Sequence, residues 1–257
     1  MGMCLFTDLV EIMDTLRSER GCPWDREQTL ESLREYLLEE SYEALDKINA
    51  QDYRGLKEEL GDLLFEVIFL AKIASDMGKF TIFDVIDGIR DKMVRRHPHV
   101  FGQARADTSQ EVSDNWHKIK ETQENKQYDS VIGGVPKNLP ALFRAYKLTK
   151  KAARVKFDWE TMEQILEKME EELGEFREAL ASDDRAAMET EIGDILFVSA
   201  NIARFVEINP EIALLRANGR FEKRFQYMEK KLKDEAISME DTPIEDLEKL
   251  WQEAKKK

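Results

Sequence analysis

The chain has 257 residues, enough for one large domain or for two domains of ordinary size. Apolar residues at 42% can build a core, while charged residues at 36% exceed the usual quarter and are typical of long amphipathic helices. The formal charge of −14 argues against broad binding to nucleic acid or to an anionic membrane. It does not exclude a small phosphorylated ligand, which metal ions can bring to an acidic site.

The cysteines indicate a reducing compartment, and the apolar segments indicate neither a signal peptide nor a membrane span. Cys4 and Cys22 form neither a metal-binding spacing nor a disulfide framework. The first residues lack the basic segment and the long apolar core of a signal peptide. The longest apolar stretch, 63–74, contains Glu66 and Lys72 and is too short to span a bilayer. The sequence therefore predicts a cytoplasmic protein that has no membrane partner.

Helical periodicity runs through almost the whole chain, and no segment shows the alternation of a β-strand. Asn209 and the possible capping boxes Thr108–Glu111 and Thr242–Glu245 are typical of helix starts. The sequence predicts an all-α protein with helices at 5–20, 29–49, 53–77, 82–96, 109–126, 141–154, 161–181, 184–207, 210–233 and 243–255.

One segment, 128–140, interrupts this periodicity. It contains two glycines and two prolines, a composition that indicates a linker. The linker predicts an N-terminal domain at 1–127 and a C-terminal domain at 141–257. Its apolar residues indicate that it lies against one of the domains.

Acidic pairs recur in the two halves at a constant offset of 132 residues. The members of each pair are three residues apart and lie on one face of a helix. When two helices that carry such pairs face each other, the carboxylates repel one another unless a cation neutralises them. Oxygen ligands favour Mg²⁺ or Mn²⁺ over zinc. A solvated acidic face is the alternative, which the repetition disfavours. The predicted metal ligands are Glu40, Glu43, Glu59, Asp62, Glu172, Glu175, Glu191 and Asp194.

Glycines interrupt the acidic pairs. Gly61 and Gly193 lie inside the second pair of each half, in mid-helix, where glycine costs about 1 kcal/mol relative to alanine. Close helix packing is the favoured explanation, ahead of contact with a ligand. Gly174 stands where the first half has Tyr42, so the two sites are not equivalent.

Basic residues four apart on a helix also recur, as Lys92 with Arg96 and as Arg220 with Arg224. They could form surface ion pairs or bind phosphate oxygens. Lys168, one turn before the acids of the second half, could join them or pair with nearby glutamates. Carboxylates for a metal and cations for phosphate together indicate metal-assisted cleavage of a phosphoanhydride.

Trp116 and Trp251 lie near the ends of the two repeats. Each could be a packing anchor or could stack on a nucleobase. The His97-Pro98-His99 segment has no counterpart in the second half and no third ligand nearby, so a metal site there is disfavoured. The sequence shows neither a phosphate-binding glycine loop nor a Ser/His/Asp arrangement.

Over almost its full length the chain resembles the MazG family of nucleoside triphosphate pyrophosphohydrolases, in the tandem-domain form. The first half carries the motifs CPWDREQT, EESYE, EELGD and KMVRRHPHVFG. The second half carries LFRAYKLTKKAARVKFDW, EELGE, EIGD and ANGRFEKRF, followed by the Trp251 segment. EExxE alone is a weak signal, whereas this combination is specific.

The resemblance implies two tandem all-α helical bundles, a homodimer, and Mg²⁺-dependent hydrolysis of nucleoside triphosphates to monophosphate and pyrophosphate. It further implies loose base preference and a role in clearing the nucleotide pool. In the second half it implies metal binding by the four acids, phosphate binding by Lys168, Arg220 and Arg224, and base contact by Trp251. Lys92, Arg96 and Trp116 are the equivalents in the first half. Family members often carry lysine at the Arg220 position, so phosphate geometry there can differ.

The second half is the expected active one, although the first half keeps all four acids. Glu171, Glu172 and Glu175 are the expected catalytic carboxylates, with Glu171 or Glu172 accepting a proton from water. Two other hypotheses stay open. One is a helical protein that binds a nucleotide or a regulatory partner without turnover, and the other is a narrower hydrolase for dUTP or damaged nucleotides.

Overall fold

The computed structural model describes residues 5–109, 111–112, 115–116, 119 and 129–256. Within these residues the regular elements are helices and no strand occurs, which confirms the all-α prediction. The chain forms two compact units, 1–126 and 127–257. Residues 129–140 of the predicted linker belong to the second unit, while the domain limits 1–127 and 141–257 stay a prediction.

The first unit is built around a long central helix. α4 packs against α3, α1 and α5, and α6 packs against α5. Met13, Leu33 and Phe69 are fully buried between these helices and form the centre of the core. The bounds are α1 (Leu5–Leu16), α2 (Pro23–Glu27), α3 (Leu33–Ala50), α4 (Tyr53–Asp76), α5 (Ile82–Arg96) and α6 (Pro98–Phe101).

The second unit repeats this plan. α9 is its central helix and packs against α8, α7 and α10, while α11 packs against α10. Ile165, Ala200 and Leu232 are among its buried residues. The bounds are α7 (Ala141–Arg154), α8 (Met162–Ala181), α9 (Arg185–Phe205), α10 (Pro210–Asp234) and α11 (Ile244–Ala254).

A tight helical hairpin lies at the centre of each unit. Gln51 after α3 and Asp183 after α8 have left-handed backbone, with φ of 57° and 55°. The next residues, Asp52 and Asp184, accept hydrogen bonds from backbone N–H groups in the first turn of α4 and α9. This turn and cap recur at the same 132-residue offset, and they fold two helices back against each other in both units.

The structure corrects the start of the chain. The helix predicted at 5–20 ends at Leu16, because the Cys22 N–H donates to the Leu16 carbonyl at 2.8 Å and the chain crosses the helix end. A Cβ on Gly21 would lie 2.2 Å from that carbonyl oxygen, so only glycine fits this crossing. The helix predicted from residue 29 begins at Leu33. Most of the helix predicted at 109–126 lies outside the described residues.

The predicted helix starts have mixed outcomes. Asn209 caps α10 by accepting from the Glu211 N–H at 3.0 Å, as predicted. The Glu111 N–H donates to Thr108, but the Glu111 carboxylate accepts from the backbone of Asp107. The predicted cap by Thr242 is wrong, because its hydroxyl donates to a carbonyl in the preceding turn and α11 begins after Pro243.

Within the part of the chain that the structure describes, the mid-helix glycines of the acidic pairs are not packed against a neighbouring element. A Cβ added at Gly61, Gly174 or Gly193 would meet no described atom within 4 Å. The close helix packing expected at Gly61 and Gly193 is therefore wrong for the part of the chain that the structure describes.

Among the described residues no helix combines the length and the apolar character needed to cross a membrane.

Candidate functional site

The second-half acids meet on the α8–α9 hairpin. Glu175 lies six residues before the end of α8 and Glu191 six residues after the start of α9, so antiparallel packing places them opposite each other. Carboxylate oxygens of Glu172, Glu175 and Glu191 lie within 4.8 Å of one another. Asp194 follows Glu191 by one turn and adds its negative field to that carboxylate. The structure thus brings together the acids that the spacing singled out.

The first-half acids form a matching group on the α3–α4 hairpin. Oxygens of Glu40, Glu43 and Glu59 also lie within 4.8 Å of one another. The carboxylate of Asp62 is close enough to raise the pKa of Glu40, after the larger effect of burial. Both hairpins therefore hold three carboxylates together, with the aspartate one turn further along.

The electrostatics of the second-half group fit a bound cation. Burial raises the pKa of Glu191, and the neighbouring carboxylates of Glu175 and Glu172 raise it further. Glu191 Oε2 is buried and has no hydrogen-bond partner among the described residues. An orphaned carboxylate oxygen within a group of three acids suits a hard divalent cation, which oxygen ligands prefer.

Lys168 supplies a fixed positive charge beside these acids. Its Nζ lies 2.8 Å from Glu171 Oε1 and 2.9 Å from Glu172 Oε1. These hydrogen bonds, with Glu171 first, hold the pKa of Lys168 above its ordinary value, so the ammonium stays charged. Glu172 is only 4% exposed, whereas Glu171 is exposed to solvent.

A cavity of about 570 Å³ opens beside the acids. Lys168, Glu172 and Asp194 line it together with mostly apolar side chains. The cavity follows α9 away from the acids, because Asp194 and Asn201 both line it and lie two helical turns apart. The remaining lining residues are Ile132, Leu148, Thr149, Ala152, Lys156, Phe157, Asp158, Trp159, Phe197 and Val198.

Part of the predicted linker lies against this second unit. Ile132 lines the cavity, and Lys151 of α7 donates a hydrogen bond to the carbonyl of Gly133. The expectation that the linker packs against a domain is therefore confirmed for these residues.

The other predicted substrate residues of the second half lie on α10 and α11. The Arg224 guanidinium carbon lies 5.6 Å from the ring centroid of Trp251, and that ring lies 5.4 Å from the Phe221 ring. Arg220 is exposed. Arg220, Arg224 and Trp251 are absent from the described lining of the cavity, so their roles toward phosphate and base stay predictions.

The same cation–aromatic pair recurs in the first half. The Arg96 guanidinium carbon lies 4.7 Å from the Trp116 ring centroid, and the His97 ring lies 5.0 Å from that indole. Arg96 is 8% exposed and Lys92 is half-buried. Each tryptophan thus has its own arginine partner, Arg96 for Trp116 and Arg224 for Trp251, a pairing that the sequence spacing did not predict.

Sequence reasoning missed two polar residues at these sites. Glu66, one turn beyond Asp62, has a buried Oε2 without a hydrogen-bond partner among the described residues, and burial raises its pKa. Asn201 is 8% exposed and lines the second-half cavity. Both follow the aspartate of the second acidic pair by whole helical turns, four residues for Glu66 and seven for Asn201. That spacing was the available signal.

Comparison with known proteins agrees with this arrangement. The profile described as "MazG nucleotide pyrophosphohydrolase domain" matches residues 28–101 and 160–231, each of which contains one acidic group. A nucleoside triphosphate pyrophosphohydrolase of Escherichia coli strain K12 is 42% identical over 252 residues, which cover 96% of each chain.

Two further relatives carry similar names. The nucleoside triphosphate pyrophosphohydrolase/pyrophosphatase MazG of Thermotoga maritima is 43% identical over 251 residues, covering 98% of this chain and 96% of its own. A nucleoside triphosphate pyrophosphohydrolase of Mycobacterium tuberculosis is 39% identical over 149 residues, covering 57% of this chain and 44% of its own. The resemblance found in the sequence motifs is confirmed, and the chain belongs to the MazG family of nucleotide pyrophosphohydrolases.

Proposed function

We propose that the second half of this chain carries the working site, where Mg²⁺ assists the hydrolysis of nucleoside triphosphates to monophosphate and pyrophosphate. Family membership makes the chain a nucleoside triphosphate pyrophosphohydrolase. The observation that carries the proposal is a single cavity that is large enough for a nucleoside. Glu172, Asp194 and Lys168 line one part of it, and mostly apolar side chains line the rest.

Glu172, Glu175 and Glu191 are the proposed metal ligands, with Asp194 as the fourth. Carboxylate oxygens of the three glutamates lie within 4.8 Å of one another. Glu191 Oε2 lacks a hydrogen-bond partner among the described residues. When bound, Mg²⁺ supplies charge screening for the triphosphate and lowers the pKa of a coordinated water. Mn²⁺ has the same preference for oxygen ligands and is the expected substitute.

The lysine and its partners then have separate tasks. Lys168 lines the cavity and stays charged, so it can hold a phosphate oxygen. Glu171 does not line the cavity as described, and we assign it to positioning the ammonium of Lys168. Glu172 lines the cavity, as Asp194 does, whereas Glu171 is not part of the described lining. This favours Glu172 over Glu171 as the proton acceptor considered for the attacking water.

The cavity walls support broad base tolerance. Phe157, Trp159 and Phe197 offer ring surfaces, and every nucleobase has an apolar face that can pack against them. Such a site supports a role in clearing varied nucleotides from the pool. A narrower enzyme for dUTP or damaged nucleotides would instead discriminate strongly between bases in kcat/KM.

The test is pyrophosphate release by the purified full chain. We expect release from several nucleoside triphosphates with Mg²⁺, activity with Mn²⁺, and loss of release with EDTA. Equal release with EDTA contradicts the metal assignment. No release from any triphosphate contradicts the proposed enzyme and favours a protein that binds nucleotide without turnover.

We also propose a homodimer, on the basis of matched apolar side chains beside the acids. Leu60 and Leu64 on α4 are 53% and 42% exposed, and their equivalents Ile192 and Leu196 on α9 are 48% and 49% exposed. Apolar pairs one turn apart, repeated in both halves, are typical of helix faces that a partner covers. Light scattering after gel filtration should give twice the chain mass, and Leu196→Glu should lower it. A monomeric wild-type chain contradicts this proposal.

A further inference from the structure

Asn201 is a buried polar side chain in a mostly apolar cavity. It lies on α9, is only 8% exposed and lines the cavity. Buried amides are usually paired on both their oxygen and their nitrogen, since an unpaired polar group costs stability. Among the described residues Asn201 is paired through its oxygen only, so its amide nitrogen is open to a ligand in the cavity.

The orientation of this amide follows from its neighbour Arg204. Arg204 Nε donates to Asn201 Oδ1 at 2.8 Å, and a guanidinium can only donate, so the oxygen must face it. Arg204 is itself fixed, because Nη1 donates to Asp158 Oδ2 at 2.9 Å and Nη2 donates to Oδ1 of the same carboxylate. The amide nitrogen of Asn201 therefore points away from Arg204, and it has no hydrogen-bond partner among the described residues.

The position along α9 suits the nucleoside part of a nucleotide. Asn201 follows Asp194 by seven residues, which places it about 10 Å further along the helix at 1.5 Å per residue. Both residues line the same cavity, together with the rings of Phe157 and Trp159. A triphosphate bound at the acids would place its sugar and base, rather than its phosphates, at this distance.

We infer that Asn201 is a substrate-binding residue that donates its amide N–H to a hydrogen-bond acceptor on the nucleoside, and that Arg204 and Asp158 are the positioning residues that fix the amide. The inference rests on the proposed function, because it assumes that the triphosphate lies at the acids. The acceptor is an oxygen or a ring nitrogen of the base, or an oxygen of the sugar. Either source presents the same chemistry to the amide.

The first half offers a comparison at the equivalent position. Phe69 stands 132 residues before Asn201, is 1% exposed and belongs to the core of the first unit. A phenylalanine packed in the core can neither donate a hydrogen bond nor leave space for a ligand. The nucleoside contact is therefore assigned to the second half alone.

The test compares wild type with Asn201→Asp, an isosteric change that replaces the amide donor with an acceptor. kcat and KM are measured for the four ribonucleoside and four deoxyribonucleoside triphosphates with Mg²⁺. Inorganic triphosphate, which has no nucleoside, serves as a competitive inhibitor. We expect kcat/KM to fall roughly tenfold, the size of one hydrogen bond, mainly through KM, while the inhibition constant of inorganic triphosphate stays within about twofold.

The pattern across substrates separates the two sources of the acceptor. A loss that differs between bases supports an acceptor on the base. A loss of kcat/KM that is the same for every base supports an acceptor on the sugar. This holds whether or not the loss differs between ribonucleotides and deoxyribonucleotides. Unchanged KM for every nucleotide overturns the inference, and so does an equal loss of inorganic triphosphate binding.

Arg204→Gln supplies a second variant with a different readout. This variant keeps the amide donor of Asn201 but no longer fixes the orientation of the amide, so KM should rise. Adding Asn201→Asp to Arg204→Gln should then raise KM by a smaller factor than Asn201→Asp does in wild type. Fully additive losses contradict the positioning role. Thermal unfolding is recorded for each variant, and Asn201→Ser serves if Asn201→Asp does not fold. A wild-type chain that releases no pyrophosphate contradicts the proposed function, whereas an active wild type with indifferent variants contradicts only this inference.

Discussion

The two halves of the chain hold the same carboxylate group in different surroundings. Each places three carboxylates within 4.8 Å on a tight helical hairpin. Where the second half has Lys168 and Asn201, the first half has Tyr36 and Phe69 at the offset of 132 residues. The comparison teaches that retained acids do not by themselves make a nucleotide site, because Lys168 and Asn201, which we propose for phosphate and nucleoside, have no cationic or amide counterpart at the equivalent positions of the first half.

The charges around the acids differ as well. In the first half Lys47 Nζ lies 3.3 Å from Glu59 Oε1, and Glu66 adds a further carboxylate. In the second half the equivalent positions hold Ala179 and Val198. In the first half the lysine, Lys47, thus forms an ion pair with Glu59 of the second acidic pair. In the second half the lysine, Lys168, forms an ion pair with Glu172 of the first acidic pair and lines the cavity.

The largest expected effect comes from removing acids in one half at a time. Glu172→Gln with Glu175→Gln should lower kcat/KM for nucleoside triphosphates more than a hundredfold, because two of the proposed metal ligands lose their charge. Glu40→Gln with Glu43→Gln is the matched control and should change kcat/KM less than about threefold. Pyrophosphate release measures both. Equal losses in the two double variants would show two working sites and break the comparison.

Removing the lysine beside each acidic group should give the next largest effect. Lys168→Met should lower kcat/KM roughly tenfold to a hundredfold, since the proposed charge-assisted contact to phosphate is lost. Lys47→Met, the corresponding change in the first half, should leave kcat/KM within about twofold. Initial rates at several substrate concentrations separate KM from kcat. A larger loss from Lys47→Met would place the substrate in the first half.

The next prediction concerns the stability that Asp76 gains from its ion pairs. One of its partners, Lys72, stands at the position equivalent to Arg204 of the second half. Lys72 and Arg17 each donate to Asp76 at 3.0 Å, and in the second half Arg204 donates to Asp158 at 2.9 Å. Burial alone would raise the pKa of Asp76, but these hydrogen bonds hold it below its ordinary value of 3.8. Asp76→Asn should lower the free energy of unfolding by roughly 1–2 kcal/mol near neutral pH.

The pH dependence of that loss follows from the direction of the shift. A depressed pKa stabilises the folded state above the unfolded value and stops doing so as the pH falls below about 3.8 toward the folded value. The difference between wild type and Asp76→Asn should therefore be full above about pH 5 and shrink in acid. Urea unfolding at several pH values measures it. A difference that grows below pH 4 contradicts the assigned network.

The smallest expected effect is a gain in stability at the open glycines. A Cβ at Gly61 or Gly193 meets no described atom within 4 Å, so alanine should raise the free energy of unfolding by about 1 kcal/mol at each position. Urea unfolding of Gly61→Ala and Gly193→Ala gives both values. A loss of stability at either site would show that another surface packs there.

Local sequence patterns predicted the parts of the fold that depend on neighbouring residues. The helix at 141–154 matched because Pro140 precedes its first residue, and the acids met because a spacing of three places them on one helix face. The end of α1 was missed because it depends on the chain crossing back at Gly21, a contact that no local pattern reports.

The candidate site could be predicted only in part for the same reason. Asn201 stands in an apolar run and carries no motif, and its orientation depends on Arg204 and on Asp158, which lies 46 residues from Arg204. The cavity is formed by side chains from separate helices and by Ile132 of the predicted linker. Such tertiary arrangements determine where a nucleoside fits, and the one-dimensional spacing does not contain them.

The most direct test of the difference between the halves is the stoichiometry of nucleotide binding. Titration calorimetry of the full chain with a non-hydrolysable triphosphate analogue and Mg²⁺ should give one nucleotide per chain. Glu172→Gln with Glu175→Gln should abolish that binding, and Glu40→Gln with Glu43→Gln should leave one nucleotide per chain. Two nucleotides per wild-type chain, or binding that disappears only in the first-half variant, would contradict the account.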